Sequence, residues 1–330
     1  MPAPSIQSQL LLPDFTSINP EGLAAKLDQQ LEHNQRIIKQ LLDTNTQLSY
    51  QQLVPVLEQL DDKVSQLWGP LSHLHGVDNT DEVRAAYDKC LPKLTAYATQ
   101  MGQNKALYLA FLNLYQSPEF SQLTQAQQQY VNLEIRDFKL AGVALSPVEQ
   151  EEYGQLKQQL AQLSTRFSNQ LMDATQAWSK AITDVEALAG LPESALSQAK
   201  ENAKAKGLDG YLLKLDFSCY HSVMTFAQNR SLRQEMYQAF NTRASDQGPN
   251  AGEFDNSTVM AELVALRHKM ANLVGFENYA EYSVATKMAD SANTVETFLV
   301  DLAKGCKPQA QQDMAALESF AKEQGVSEPL

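Results

Sequence analysis

Basic side chains are scarce in this sequence. Its 330 residues carry 26 Lys and Arg against 39 Asp and Glu, a formal charge of −13 with His neutral. A general nucleic-acid binder needs clustered cations to displace counterions from phosphates, so that class is set aside. The same deficit argues against adhesion to an anionic membrane surface. Long apolar runs are missing as well, none approaching the roughly 20 residues that span a bilayer. The first basic residue is Lys26, and the run Leu10-Leu11-Leu12 is too short for the apolar region of a secretory signal. The three cysteines, Cys90, Cys219 and Cys306, are widely spaced and odd in number. Free thiols in a reducing compartment suit that pattern better than a disulfide framework, and the location expected is cytoplasmic. Glycine and proline are few, 14 and 13 residues, about 8 % of the chain against a usual 12 %.

What is abundant points to helix. Glutamine occurs 35 times, and Gln, Ala and Leu are all good helix formers. A 43 % hydrophobic share is too high for a disordered chain, and the length allows one to three domains with a sizeable core. Asn19 reads as an N-cap ahead of Pro20, with Leu23, Leu27 and Leu31 following every four residues. Ser49 and Gln52 form a capping box before a stripe from Leu53 to Leu74, which Pro70 should kink or end. A third helix should start at Thr80, with Asp81 and Glu82 favouring its positive end. Leu107, Phe111 and Leu114 mark another helix, and the next should run from Thr124 to a stop at Gly142.

The longest expected element starts at Ser146-Pro147, with Glu149 completing a capping box. Its stripe of Tyr153, Leu156, Leu160, Leu163 and Phe167 calls for an antiparallel helical neighbour. Between 181 and 217 the pattern changes to a turn at Gly190-Leu191-Pro192 and an Ala-rich helix from Glu193 to Lys206. A strand is then expected from Tyr211 to Phe217, with Tyr211, Leu213, Leu215 and Phe217 on one face. Helical patterns resume after Phe217, one through Val259, Leu263, Leu266, Met270 and Leu273 and another from Val295 to Phe320. The expected fold class is therefore predominantly all-α with a minor β element near 181–217. A boundary near 145 separates an N-terminal helical region, 1–145, from a long-helix region, 146–330.

Catalytic constellations are also lacking. No histidine is followed by Glu, so H-E-x-x-H is absent, and the inverted form fails because Gln29 stands where Glu32-His33 would need a His. His73 and His75 are two apart and would diverge on a helix. Cys219 with His221 could form a thiol–base pair, or could be a packed Cys beside a surface His. No nucleophile elbow, P-loop or G-x-G-x-x-G is present. Glu149, Glu151 and Glu152 suit the first turn of a helix, and Trp68 and Trp178 suit a core. The segment from Asn241 to Ser257 is unlike the rest: its Gly and Pro mark an irregular loop, capped into the next helix by Asn256 or Ser257. It is either a long connection with its backbone tied down by Arg243 and Asp246, or a binding loop on rigid helices.

That loop carries a resemblance. Thr242-Arg243-Ala244-Ser245-Asp246-Gln247-Gly248-Pro249-Asn250-Ala251-Gly252 is followed by Leu266-Arg267-His268, by Leu273-Val274-Gly275-Phe276-Glu277-Asn278-Tyr279-Ala280 and by Ala285-Thr286-Lys287-Met288-Ala289. Upstream, Pro70-Leu71-Ser72-His73-Leu74, Arg136-Asp137-Phe138, Leu188 to Ala195 and Gly210-Tyr211-Leu212-Leu213 occur in matching order. Together they resemble the thimet oligopeptidase family of zinc metallopeptidases over essentially the whole chain. Members of that family are roughly twice as long, and their H-E-x-x-H motif and third Glu ligand lie in the second half.

The resemblance therefore implies a neurolysin-like N-terminal lobe of long antiparallel helices. This lobe would form the non-catalytic part of a cytoplasmic zinc oligopeptidase that hydrolyses short peptides. It would contribute one wall of a channel that admits short peptides and excludes folded proteins. Zinc would belong to the full-length enzyme and not to this chain, and no metal-binding or catalytic residue carries over. The implied partners are short peptides and the missing catalytic half, with no nucleic acid or membrane. Arg243, Asp246, Asn256 and Arg267 are the candidates for polar contacts on the wall, though each could equally pin the loop. The strand from Tyr211 to Phe217 and the helix faces that meet the missing half should then be exposed. A stand-alone helical module that binds peptides or a partner protein, without catalysis, is the alternative.

Overall fold

The computed structural model describes residues 13, 15, 18–44 and 47–326; Leu10 to Leu12 lie outside the described residues. The architecture is predominantly all-α, twelve α-helices and a two-stranded sheet among those residues. Local chemistry places the helix starts. Asn19 accepts from the Glu21 amide at 3.1 Å beside the first turn of α1 (Pro20–Thr44). Capping boxes at Ser49/Gln52, Thr124/Gln127 and Ser146/Glu149 open α2 (Tyr50–Val77), α5 (Gln125–Leu140) and α6 (Pro147–Ala177). Thr80 caps α3 (Asp81–Gly102), and Asn104 caps α4 (Lys105–Gln116). Gly142, at φ 79°, ends the turn after α5 in the left-handed region open to glycine.

Helix α2 does not end at Pro70 but continues through it to Val77. The turn beyond the proline is held by burial: Leu71 is sealed in a core with Leu27 and Leu31 of α1 and Val83, Ala86 and Cys90 of α3. A second core gathers α1, α2, α4 and α5 around Phe111, Leu53 and Val131. The neighbour that α6 requires is α3. Gln103 donates to Gln150 O at 3.3 Å, Gln158 to Pro92 O at 2.9 Å, and Arg84 grips Asp173 with two bonds of 3.0 and 2.7 Å. Rising numbers on one helix meet falling numbers on the other, so the pair is antiparallel.

The minor β element is smaller than its pattern suggests. Strand β1 (Ser179–Ile182) pairs antiparallel with β2 (Tyr211–Lys214), Ser179 opposite Lys214 and Ile182 opposite Tyr211. Phe217 is not on the strand: Asp216 caps α8 (Phe217–Phe226) by accepting from the Cys219 amide at 3.0 Å. Leu212 and Leu213 are both buried, because α7 (Glu193–Ala205) packs on β2 and a third core lies beneath it. The expected exposure of this strand is thus corrected: helix covers it within the chain itself. Helix α9 (Arg230–Asn241) adds Leu232, Met236 and Ala239 to that core.

The described residues divide into two compact units, one ending at Arg267 and the other starting at His268, so α10 (Ser257–Leu273) crosses the division. In the second unit the chain reverses after α10. Gly275 takes φ 89°, the Phe276 amide donates to Ala271 O at 2.9 Å, and Asn272 donates to Phe276 O and Glu277 O at 2.8 and 2.9 Å. Helix α11 (Tyr279–Val284) and the 32-residue α12 (Ala292–Glu323) follow, the latter capped by Ser291. Val295, Phe298, Leu299 and Leu302 recur at helical spacing on α12, and all are exposed. Met314, Leu317 and Phe320 continue the exposed apolar set.

Candidate functional site

Residues 242–256 join α9 to α10 and are wound tightly on themselves. Gly252 donates to Ser245 O at 3.1 Å, Asn256 donates to Ala244 O at 3.0 Å, and the Ser245 hydroxyl bonds Thr242 O at 2.8 Å. Ala244 sits at φ +51°, the one non-glycine residue with positive φ among those described. That conformation costs an L-residue about 1–2 kcal/mol. Gly248, at φ +83°, is required, since a Cβ there would run into the Thr242 side chain.

The wound loop is seated on one side of α6. Asn256 Nδ2 donates to Phe167 O at 3.0 Å, Gln170 Nε2 to Asp255 O at 3.3 Å, and an Arg243 terminal nitrogen to Thr175 Oγ1 at 3.0 Å. Arg243 is doubly engaged: its Nε donates to Phe240 O at 2.8 Å and its guanidinium carbon lies 3.6 Å from the Phe240 ring centroid. Phe240 in turn stacks on Tyr220 at 3.9 Å, nearly parallel. Burial lowers the Arg243 pKa from its ordinary value. Asn256 is 2 % exposed, and its Oδ1 is buried without a partner.

The four sequence candidates therefore divide. Arg243 and Asn256 meet on α6 and spend their donors inside the fold. Asp246 is exposed on the loop. Arg267 lies half-buried on α10, ten residues beyond its start and so about 15 Å along the axis. At the start of α10 Asp255 accepts from the Ser257 amide at 2.8 Å, while the Asn256 side chain turns to α6. Sequence reading missed Phe167, Gln170 and Thr175, which seat the loop 68 to 89 residues away in the chain. A helical stripe carries no signal for so distant a partner.

Other candidate chemistry separates. Cys219 stands in the first turn of α8, where burial pushes its thiol up, away from a thiolate. His221 packs on Phe217, ring centroids 5.8 Å apart. His75 is buried and stacked on Tyr87 at 3.9 Å, whereas His73 faces Phe15 at 5.3 Å, so the two imidazoles share no centre. Among the described residues no group of three His, Cys, Asp or Glu side chains could hold a metal ion. No helix among them is long and apolar enough to cross a membrane.

Comparison with known proteins gives this geometry a context. The family model described as Neurolysin/Thimet oligopeptidase, N-terminal domain, matches residues 23–151, and that of Peptidase family M3 matches 223–329. Oligopeptidase A of Escherichia coli is 44 % identical over 318 residues, 96 % of this chain. Over nearly all its length the chain is thus similar to an oligopeptidase, with its C-terminal third matching peptidase family M3. Oligopeptidase A of Haemophilus influenzae is 42 % identical over the same share of this chain. A probable cytosolic oligopeptidase A of Arabidopsis thaliana is 35 % identical over 96 % of it. The chain spans about half the length of these relatives: 47 %, 46 % and 45 % respectively. The M3 match takes in the loop, all four candidate residues and the whole of α12.

Proposed function

We propose that this chain is the N-terminal, non-catalytic part of a cytoplasmic metallo-oligopeptidase that hydrolyses short peptides, and that it forms one wall of the substrate channel. The observation carrying the reading is that 96 % of the chain aligns, at 44 % identity, with less than half of oligopeptidase A. The exposed apolar face of α12 supports it, since such a face favours a covering partner. The N-terminal domain match ends at 151, which supports a helical region over 1–145 and a long-helix, channel-wall region over 146–330.

The described residues do not fit a metal, so no step of hydrolysis is routed through them. Zinc, held by the catalytic half, would supply a water of lowered pKa there. This chain's own task is binding and shape. In this reading Asp246 and Arg267 would contact peptide directly. Arg243 and Asn256 act by holding the loop on α6, so that Asp246 is presented from a rigid frame.

The test is hydrolysis of a quenched fluorescent peptide by the 330-residue chain, with zinc added, and by the product of its full reading frame. The expected result is no turnover by the chain alone and chelator-sensitive turnover by the full product. Metal-dependent turnover by the chain alone would overturn the proposal. A reading frame closing near Leu330 would do so too, in favour of a stand-alone helical binding module.

A further inference from the structure

Between α3 and α6 lies an open groove of about 610 Å³ with an unusual lining. Gln100 of α3 and Gln103 just past its end border it on one side, and Gln150, Gln155, Gln158, Gln159 and Gln162 of α6 on the other. Seven of its eleven lining residues are glutamine, in a chain where glutamine makes up 35 of 330 residues. Glu151 is its one charged residue, and no aromatic ring borders it.

Part of this amide capacity is spent on the fold. Gln158 Nε2 holds Pro92 O at 2.9 Å, Gln103 Nε2 holds Gln150 O at 3.3 Å, and Gln100 Oε1 accepts from Gln35 at 2.6 Å. Gln159 and Gln162 have no hydrogen-bond partner among the described residues. Each offers two donors and an acceptor toward the groove they line. The side-chain oxygens of Gln103 and Gln158 likewise accept no hydrogen bond among the described residues.

The floor is kept low at a cost. Gly154 stands in the interior of α6, where glycine is worth about 1 kcal/mol less than alanine. Packing does not demand it: an added Cβ would lie 3.6 Å from Thr99 Cγ2, an ordinary contact. The missing side chain leaves space in the groove and serves no close helix approach.

We propose that this groove binds an extended peptide segment through its main chain. Side-chain amides reproduce the donor–acceptor pattern of a neighbouring β-strand, and a nearly uncharged wall selects for backbone over charged side chains. A sugar-binding cleft would be expected to offer a stacking ring, which is absent from this lining. From 150 to 162 the groove runs along twelve helical rises, about 18 Å, enough for about five extended residues. The inference does not rest on catalysis or on a missing half; it concerns binding by this chain alone.

Fluorescence anisotropy of the 330-residue chain with a labelled, end-capped neutral decapeptide tests it. Saturable binding is expected, weakened about tenfold in Gln159→Ala/Gln162→Ala. Neither residue has a hydrogen-bond partner among the described residues, so the thermal melt should not move. Gly154→Leu should also abolish binding by filling the floor, while Gly154→Ala should raise the melting temperature. No saturable binding by the wild type would overturn the proposal, as would equal affinity in the glutamine double variant. Preference for an uncharged oligosaccharide such as maltoheptaose over the peptide would overturn the ligand class. Absence of hydrolysis by the full-length product would leave this binding unaffected, so the two readings fail separately.

Discussion

Replacing Asn256 with aspartate should show how the loop is held to α6. The native amide donates from Nδ2 to Phe167 O at 3.0 Å from a position 2 % exposed, and its Oδ1 is buried unpaired. Asn256→Asp keeps the shape and replaces that donor with a second oxygen facing a carbonyl. At neutral pH the loss has two parts. The hydrogen bond contributes about 1 kcal/mol, and a buried carboxylate without a cation adds about 2 kcal/mol or more. The expected destabilisation against wild type is about 3 kcal/mol at pH 7.

The pH dependence has a definite sign. Burial raises the carboxyl pKa in the folded state above its unfolded value of about 3.9. At pH below the unfolded value the group is protonated in both states and can donate to Phe167 O, so the penalty shrinks. It grows as pH rises through the folded pKa. Urea unfolding of both proteins at pH 4 and pH 7, followed by far-ultraviolet circular dichroism, measures the difference at each pH, where other titrations cancel. Asn256→Ala, which removes donor and orphaned acceptor together, should cost no more than about 1 kcal/mol. Equal penalties for Asn256→Asp at the two pH values, or a larger loss for Asn256→Ala, would refute the reasoning.

Burial lowers the pKa of His75, so the unfolded chain binds the extra proton first. Stability should be full above pH 6.5 and should fall as pH drops below it, and His75→Phe should flatten that slope in urea midpoints taken from pH 8 to 5. Thiol reactivity should follow exposure and pKa: Cys306 is exposed, Cys90 is fully buried and Cys219 half-buried, with the latter two thiols pushed up by burial. Ellman's reagent should therefore label one cysteine rapidly under native conditions, and Cys306→Ser should remove that phase. The exposed α12 face should drive self-association of the isolated chain at micromolar concentration. Sedimentation velocity should show this association weakened in Phe298→Glu/Leu302→Glu, and a wild-type chain that stays monomeric throughout would count against it.

Much of the fold was legible because helix starts are local chemistry. A cap and its partner lie three residues apart, so Ser49/Gln52 and Ser146/Glu149 can be read without a neighbour in view. Whether α2 ends at Pro70 was not legible, for the converse reason. The proline's steric cost is local, but the burial of Leu71 that carries α2 past it depends on α1 and α3. The strand near 211 was read with a period of two, and α7 then covered its second face, so both Leu212 and Leu213 went inside. At the candidate site the loop was visible by its Gly and Pro. Its seat on Phe167, Gln170 and Thr175 was not, because nothing in a helical stripe names a partner 68 to 89 residues away. Glutamine was read as a helix former, which uses its propensity and ignores where seven of its amides gather.

By itself the sequence determined the all-α class, the helix starts, the absence of H-E-x-x-H and the family signature, since these depend on neighbours in the chain or on composition. Tertiary structure decided which side chains meet. It turned Arg243 and Asn256 inward to α6 while leaving Asp246 in solvent, buried the strand near 211, left α12 exposed and lined a groove with amides. The physical reason is range: capping and propensity act over a turn of helix, whereas burial and hydrogen-bond partnership depend on segments that only folding brings together.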